Sequence, residues 1–303
     1  MRNSKALEQF LKFIIESPYK SILVGLVFVF LAGFGAKNLY PDFSYRIWFE
    51  KDNVKLLEFE AFERRFGNDE VAVIALHSPS GIFDKDSAQV LSELTENLWQ
   101  APDVIRVDSL SNFNWVHAEG DEILVEPLIP DDEELNFELL EQRKEIAVNH
   151  KSIKGYLINE SSSTTLIFAS LKPQIEGSPN FEKIITGLRE IIAKYEGRSD
   201  HTLYLAGTPA LNFAFKEASQ SDMANLVPIV CAVAILFLIL SFRRFSGVVL
   251  PLVVIGLTVI ATMGFGGWFG FELNNLTSIV PQFMIAISIA VAVHILASFF
   301  QFY

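Results

Sequence analysis

The sequence predicts a multi-span α-helical membrane protein that carries one folded α+β domain on a single side of the bilayer. Three observations predict it. Four apolar stretches, Ser21 to Ala36, Asn225 to Phe242, Val248 to Phe271 and Ile279 to Phe300, contain no Lys, Arg, Asp or Glu. A helix crosses the hydrocarbon core with about 17–25 mostly apolar residues; the last three stretches reach that length, and the first, at 16 residues, falls slightly short. Between the first and second lie nearly 190 residues of ordinary soluble composition. Finally, the charge is unevenly shared: residues 38–223 hold 33 of the 36 acids and 17 of the 24 bases, a balance of −16 within a whole-chain charge of −12.

That acidic balance excludes nucleic acid as a natural partner, because phosphates attract basic proteins. Cys231 is the sole cysteine, so no disulfide can form within the chain and cysteine usage carries no information about redox compartment. Orientation follows from the basic flanks. Arg2, Lys5, Lys12 and Lys20 precede the first span, and Arg243 and Arg244 fill the tight loop after the second, whereas the loop Glu272 to Ser278 has no base. Basic loops stay cytoplasmic. The expectation is therefore a cytoplasmic amino terminus, an external acidic domain and a chain that stops inside after the fourth span. The first stretch has a second reading as a secretory signal with a loose cleavage site before Lys37, which would leave the sidedness of the rest unchanged.

The expected organisation is a cytoplasmic amphipathic segment over 1–20, spans over 21–37, 224–242, 248–271 and 279–300, and an external domain over 38–223. Residues 6–15 place Leu7, Phe10, Leu11 and Ile14 on one helical face, which reads either as an interfacial helix or as an extension of the first span. In the external domain a helix is expected over Val54 to Phe66 with Leu56, Phe59, Phe62 and Phe66 inward. Glu70 to His77 is apolar on both faces, the mark of a buried strand. Lys85 to Trp99 is helical, with Asp84 or Asp86 as cap. Val104 to Leu110 and Thr165 to Leu171 read as strands. Phe181 to Tyr195 repeats apolar residues at three-four spacing between a capping Asn180 and a terminating Gly197. Thr202 to Ala206 closes the set, and Ala210 to Met223 leads as a helix into the second span. Two strand-helix-strand units in this order predict a ferredoxin-like split sheet. An insert over Ser111 to Glu160 carries a helix near Asp131 to His150, whose acidic start reads as a complement to the helix dipole or as a cation site.

Several segments, in this order, resemble the RND superfamily of exporters in its MMPL and Patched-related branch. They are Trp48-Phe-Glu-Lys-Asp with Phe66-Gly-Asn-Asp-Glu-Val, Gly81-Ile-Phe, Val104-Ile-Arg-Val-Asp-Ser-Leu-Ser-Asn, Leu157-Ile-Asn-Glu with Thr164-Thr-Leu-Ile, Gly207-Thr-Pro, and Phe242-Arg-Arg-Phe-Ser-Gly-Val-Val-Leu-Pro. The resemblance implies a porter domain in the bacterial periplasm, an inner-membrane location, a lipid or other hydrophobic small molecule as substrate, and proton-driven export in a complete assembly. The chain covers the first four spans of one repeat, so the rest of the transporter or another copy is the expected partner. One departure concerns the proton path. The family carries an Asp shortly before a His in the fourth span, but here Ala290 and Val291 occupy those positions ahead of His294. A non-transporting, ligand-binding membrane partner and a truncated product stay open as alternatives.

No nucleophile elbow, metal-ligand cluster or phosphate loop appears, so no enzyme activity, metal or cofactor is expected. Gly264-Phe-Gly-Gly sits inside an apolar span with no strand before it and does not read as a nucleotide site. His77, His117, His150 and His201 read as ordinary surface or core residues. His294 stands out, since ionisable groups inside a bilayer face protein and mark pathways; it is the proton-relay candidate, with a neutral hydrogen-bonding role as the alternative. Ala286 with Ala290 and Ser288 with Ala292 are four apart and read as helix-packing positions. Pro228, Pro251 and Pro281 read as helix starts, where a missing N–H is harmless.

Overall fold

The computed structural model describes residues 12–42, 45–50, 52–67, 70–130, 135–172, 180–198, 200–274 and 276–302. These divide into two compact units, 44–214 and, together, 1–43 with 215–303.

The first unit is built on a four-stranded sheet. Its strands are β1 (Val71–His77), β2 (Val104–Asp108), β5 (Thr164–Leu171) and β6 (Thr202–Gly207), in the spatial order β2-β5-β1-β6 with antiparallel neighbours throughout. The strand-helix-strand units interleave: β2 lies parallel to β1 with β5 between them, and β6 lies parallel to β5 with β1 between them. Helices α3 (Lys85–Leu98) and α5 (Phe181–Ala193) make the crossovers. Strand alternation sends Ala72, Ile74, Leu76, Ile167, Ala169 and Leu171 into one buried layer, where they meet Leu91, Leu94 and Leu98 of α3 and Ile184, Ile185, Leu188 and Ile192 of α5. At the exit from β6 only glycine fits. Gly207 has φ +94°, and a Cβ there would lie 2.2 Å from the Val71 carbonyl oxygen, which gives the Gly207-Thr-Pro motif its physical reason.

Asp84 caps α3, accepting a hydrogen bond from the Ser87 N–H at 3.0 Å and others from the hydroxyls of Ser87 and Ser80. Burial opposes its ionisation, but these hydrogen bonds outweigh burial and hold its carboxyl below the usual aspartate range. The same network runs inward. Ser87 Oγ lies 2.7 Å from His201 Nε2, and His201 Nδ1 sits 2.9 Å from the Arg198 carbonyl. His201, read from sequence as ordinary, thus ties the start of β6 to the start of α3.

The insert forms a hairpin of β3 (Asn114–Glu119) and β4 (Glu122–Pro127), followed by α4 (Phe137–Asn149). Arg143 of α4 stands 4.7 Å over the Trp115 ring and donates to Glu126 at 2.6 Å, which holds the Glu126 carboxyl below its ordinary range. The expected start of this helix at the acidic run falls on 131–134, outside the described residues. Its N-cap is Asn136, which accepts from the Leu139 N–H.

Helix α2 (Val54–Phe66) has the expected bounds but not the expected face. Leu56 and Glu63 are buried, while Phe59, Phe62 and Phe66 are exposed. An ion pair explains the rotation: Arg46 donates to Glu60 at 3.2 Å and Glu63 at 3.0 Å, turning that side of α2 inward.

The second unit holds the spans: α1 (Pro18–Gly33) continued by a 3₁₀ turn to Asn38, the later part of α6 (Thr208–Phe242), α7 (Phe245–Trp268) and α8 (Val280–Phe302). All four are long and apolar enough to cross a membrane. Two proline readings change. α6 runs unbroken for 35 residues from Thr208, so Pro228 is interior, not a helix start. α7 begins at Phe245, not Val248, which puts Pro251 in its second turn. Pro281 does stand in the first turn of α8. The expected helix over 6–15 falls largely outside the described residues.

Leu188 is fully buried against the sheet. Leu188→Asp should lower the stability of the domain by about 3 kcal/mol or more, since it buries an unpaired charge; denaturant titration followed by circular dichroism measures it. The depressed Asp84 carboxyl contributes stability at pH values above its unfolded-state pKa and loses it as pH falls through the folded value. Acidification below about pH 4 should therefore destabilise the native chain more than an Asp84→Asn variant.

Candidate functional site

One close helix contact in the spanning unit is made of backbone. Gly33 and Gly35, at the end of α1 and in the 3₁₀ turn, meet Gly264 and Gly267 on α7. A Cβ at Gly264 would lie 2.0 Å from the Ala32 carbonyl oxygen, and one at Gly267 would lie 1.9 Å from that of Gly35. Small residues three or four apart let backbones approach in lipid, where helix association rests on packing and hydrogen bonds. The indole of Trp268 donates to the Leu31 carbonyl at 3.0 Å, satisfying both groups across the seam. The Phe28 and Phe265 rings add a tilted contact at 5.7 Å.

Beyond the seam the same two elements are clasped again. Leu273 donates its N–H to the Tyr40 carbonyl at 2.8 Å and accepts from the Asp42 N–H at 2.9 Å, and Pro41 pairs with Leu273 in a parallel bridge. The Tyr40 hydroxyl donates to the Glu272 carboxylate. That hydrogen bond, with burial and the nearby negative charges, pushes the Tyr40 phenol up to about 12.

α8 packs on α7, and Pro281, Ile285 and Ser288 are among its buried positions, with Ala292 half-buried. Ala286, Ala290 and His294 are four apart, share a different face and are exposed in this chain. The four small positions singled out from sequence thus split between two faces. Ser298 Oγ donates to the His294 carbonyl at 3.0 Å, the back-bonding usual for a mid-helix serine. No carboxylate accompanies the imidazole on α8.

The family model of the MMPL family matches residues 57–294, most of the inserted domain and the spans as far as His294. The chain belongs to the MMPL family. This family comprises RND-type membrane transporters of hydrophobic substrates, not enzymes. No curated protein matches the sequence. The matched span ends at His294, so its small-residue face lies within the family region. The glycine seam was missed from sequence, although its signal was there: Gly264-x-x-Gly267 on one span and Gly33-x-Gly35 at the end of another. The Tyr40–Glu272 clasp leaves no such signal, because 231 residues separate the partners.

Two outcomes check this geometry. Gly267→Val should destabilise the spanning unit by about 1–3 kcal/mol through overpacking, whereas Gly266→Ala, whose new Cβ would find its nearest neighbour at 3.7 Å, should be neutral; thermal unfolding in detergent separates them. Of the seven tyrosines, one should ionise only near pH 12 in a spectrophotometric titration. Glu272→Gln should move it down toward the ordinary tyrosine value of about 10. Because the folded value is raised, the stability that the clasp contributes is present below about pH 10 and is lost as pH rises through the folded pKa.

Proposed function

We propose that this chain is part of an RND-type exporter of lipids or other hydrophobic molecules in a bacterial inner membrane. The domain between the first and second spans is a periplasmic, ferredoxin-like porter domain, and transport is proton-driven in the complete assembly. The observation that carries this reading is the MMPL match, whose bounds, residues 57–294, take in both the inserted domain and the later spans. The interleaved order β2-β5-β1-β6 supports the ferredoxin-like description. The basic Arg243–Arg244 loop supports the orientation.

In this reading His294 faces helices beyond these four, either the rest of the transporter or another copy of the chain. An imidazole left in hydrocarbon would leave its nitrogens unpaired, and Ala286 and Ala290 on the same face leave room for a close neighbour. With Ala290 and Val291 where the family carries its Asp, proton coupling rests on His294 together with residues outside this chain. A non-transporting, ligand-binding partner is the second reading, and the missing carboxylate is the observation that favours it.

Orientation is checked with single cysteines at Glu119 and Ser246 in a Cys231→Ala background. An impermeant thiol reagent on spheroplasts should label the first and not the second; the reverse pattern overturns the topology. In proteoliposomes containing the complete assembly, His294→Ala should abolish proton-coupled efflux. Loss of efflux in His294→Gln as well supports a protonic role. Activity kept by Gln but not by Ala assigns His294 to packing.

A further inference from the structure

The Ser87 hydroxyl is fully buried, stands between two acceptors and owns a single proton. On one side it donates to the Asp84 carboxylate, the cap of α3. On the other its oxygen lies 2.7 Å from His201 Nε2. The tautomer of that imidazole is fixed by its other nitrogen. Nδ1 is 2.9 Å from the Arg198 carbonyl, which can only accept, so Nδ1 carries a proton. In the neutral ring Nε2 is then a bare acceptor, and Ser87 cannot serve it and Asp84 together. Whichever contact goes without the proton sets two lone pairs against each other in a buried setting, where such a mismatch is costly. Ser78, 1% exposed, lies 3.0 Å from Ser87 Oγ. It does not lift the conflict, because a proton from Ser78 points at the Ser87 oxygen and at neither acceptor.

One further proton resolves the conflict. On Nε2 it makes the ring a donor to Ser87 Oγ and frees the Ser87 hydroxyl for Asp84. Asp84 is not the group that takes it up. The hydrogen bonds it accepts hold its carboxyl below the usual aspartate range, so it stays ionised across about pH 5 to 8, where imidazoles change charge. The other charged groups around this point come from each neighbouring element. Asp86 and Glu93 lie on α3, and Arg198 pairs with Glu93 at 2.5 Å. Asp200 precedes the ring in the chain. His77 on β1 ends its strand opposite Thr202, with Nδ1 3.0 Å from the Thr164 hydroxyl. Arg198 and His77 thus have partners of their own.

The contact also has a telling place in the chain. It joins residues 114 positions apart, one in the first turn of α3 and one just before β6. β6 runs to Gly207, and α6, which contains the second span, begins at Thr208. The strand held at this point therefore leads into the second span with no loop between them.

We propose that Asp84, Ser87 and His201 form a proton-operated latch: a proton on His201 Nε2 completes the hydrogen bonds that hold the start of β6 to the start of α3, and its departure leaves one of them unmade and loosens both elements. The latch goes beyond the exporter reading and does not depend on it, because it works within the inserted domain whether or not the chain transports.

The test uses the full chain in nanodiscs. Amide exchange of 85–91 and 202–207, corrected for the intrinsic pH dependence of exchange, should be about threefold to tenfold slower near pH 5 than near pH 8, the size of one net hydrogen bond. In side-chain nitrogen spectra of the histidine-labelled chain, the ring whose signals vanish in His201→Gln should carry both protons in the slow-exchanging state and the Nδ1 proton alone in the other. Ser87→Ala should exchange fast at both pH values. His201→Gln, whose amide donates to Ser87 at any pH, should stay slow at both. His77→Gln should keep the native response. The proposal is overturned by a native chain with no response, or by a response that survives in Ser87→Ala or His201→Gln or disappears in His77→Gln. A neutral His201 that carries its proton on Nε2 overturns it too. If Ser87→Ala does not fold, His201→Gln and the ring spectra decide.

Discussion

The spanning unit depends on the approach of α1 to α7 at backbone contact. In hydrocarbon there is no hydrophobic gain from pressing two apolar helices together, so association must come from packing and from polar groups that would otherwise stay unpaired. The glycines meet both needs. They remove the side chains that would hold the helices apart, and they bring the Trp268 indole within reach of the Leu31 carbonyl. Once that register is set, the chain after the 3₁₀ turn arrives beside the loop after α7, where Tyr40, Pro41 and Asp42 meet Glu272 and Leu273. The clasp is outside the apolar stretches, where a phenol–carboxylate pair carries a smaller desolvation penalty than it would in lipid.

The inserted domain solves a different problem. Interleaving its strand-helix-strand units makes β5 and β1 central, each paired on both edges. α3 and α5 then cover one face with a nearly dry layer of Leu and Ile. Polar groups within that layer are satisfied by one another: Ser87 is fully buried and reaches Ser78, Asp84 and His201. Such a network ties the start of α3 to the start of β6, elements more than 110 residues apart, and does so with directional bonds that apolar packing alone does not supply.

The parts legible in the sequence were those governed by short-range periodicity. The four strands of the main sheet were placed to within two residues, though the β3–β4 hairpin in the insert was not foreseen, and three-four spacing placed α5 with its Asn180 cap. The wrong face of α2 and the wrong reading of Pro228 share a cause, which is structure outside the segment being read. α2 shows aromatic residues at helical spacing, yet its buried side is set by Arg46 engaging Glu60 and Glu63. Pro228 looks like a helix start when the span is read alone. It becomes interior because the preceding polar segment is also helical and joins it without a break. The site divides in the same way. His294 is conspicuous by composition alone. The Tyr40–Glu272 clasp is not, because its partners lie 232 positions apart and each is ordinary in its own segment.

α8 has two faces with different fates, and this bears on what the chain can do unaided. The face through Ile285 and Ser288 is buried among the spans. The face through Ala286, Ala290 and His294 is open in this chain. An imidazole in a bilayer needs hydrogen-bond partners whether it carries protons or only holds a neighbour. Both roles therefore require the same thing, a helix or a water-filled path against the small-residue face, and neither can be met by α1, α6 or α7 while that face stays uncovered. The absent carboxylate sharpens the point. A family Asp at Ala290 or Val291 would provide an acidic partner from the same helix, one turn or less from His294. Without it, a proton partner for His294 comes from the helix or the water-filled path that lies against this face. The protonic reading is thus a statement about an interface, and the structural reading of the same residue predicts that interface too.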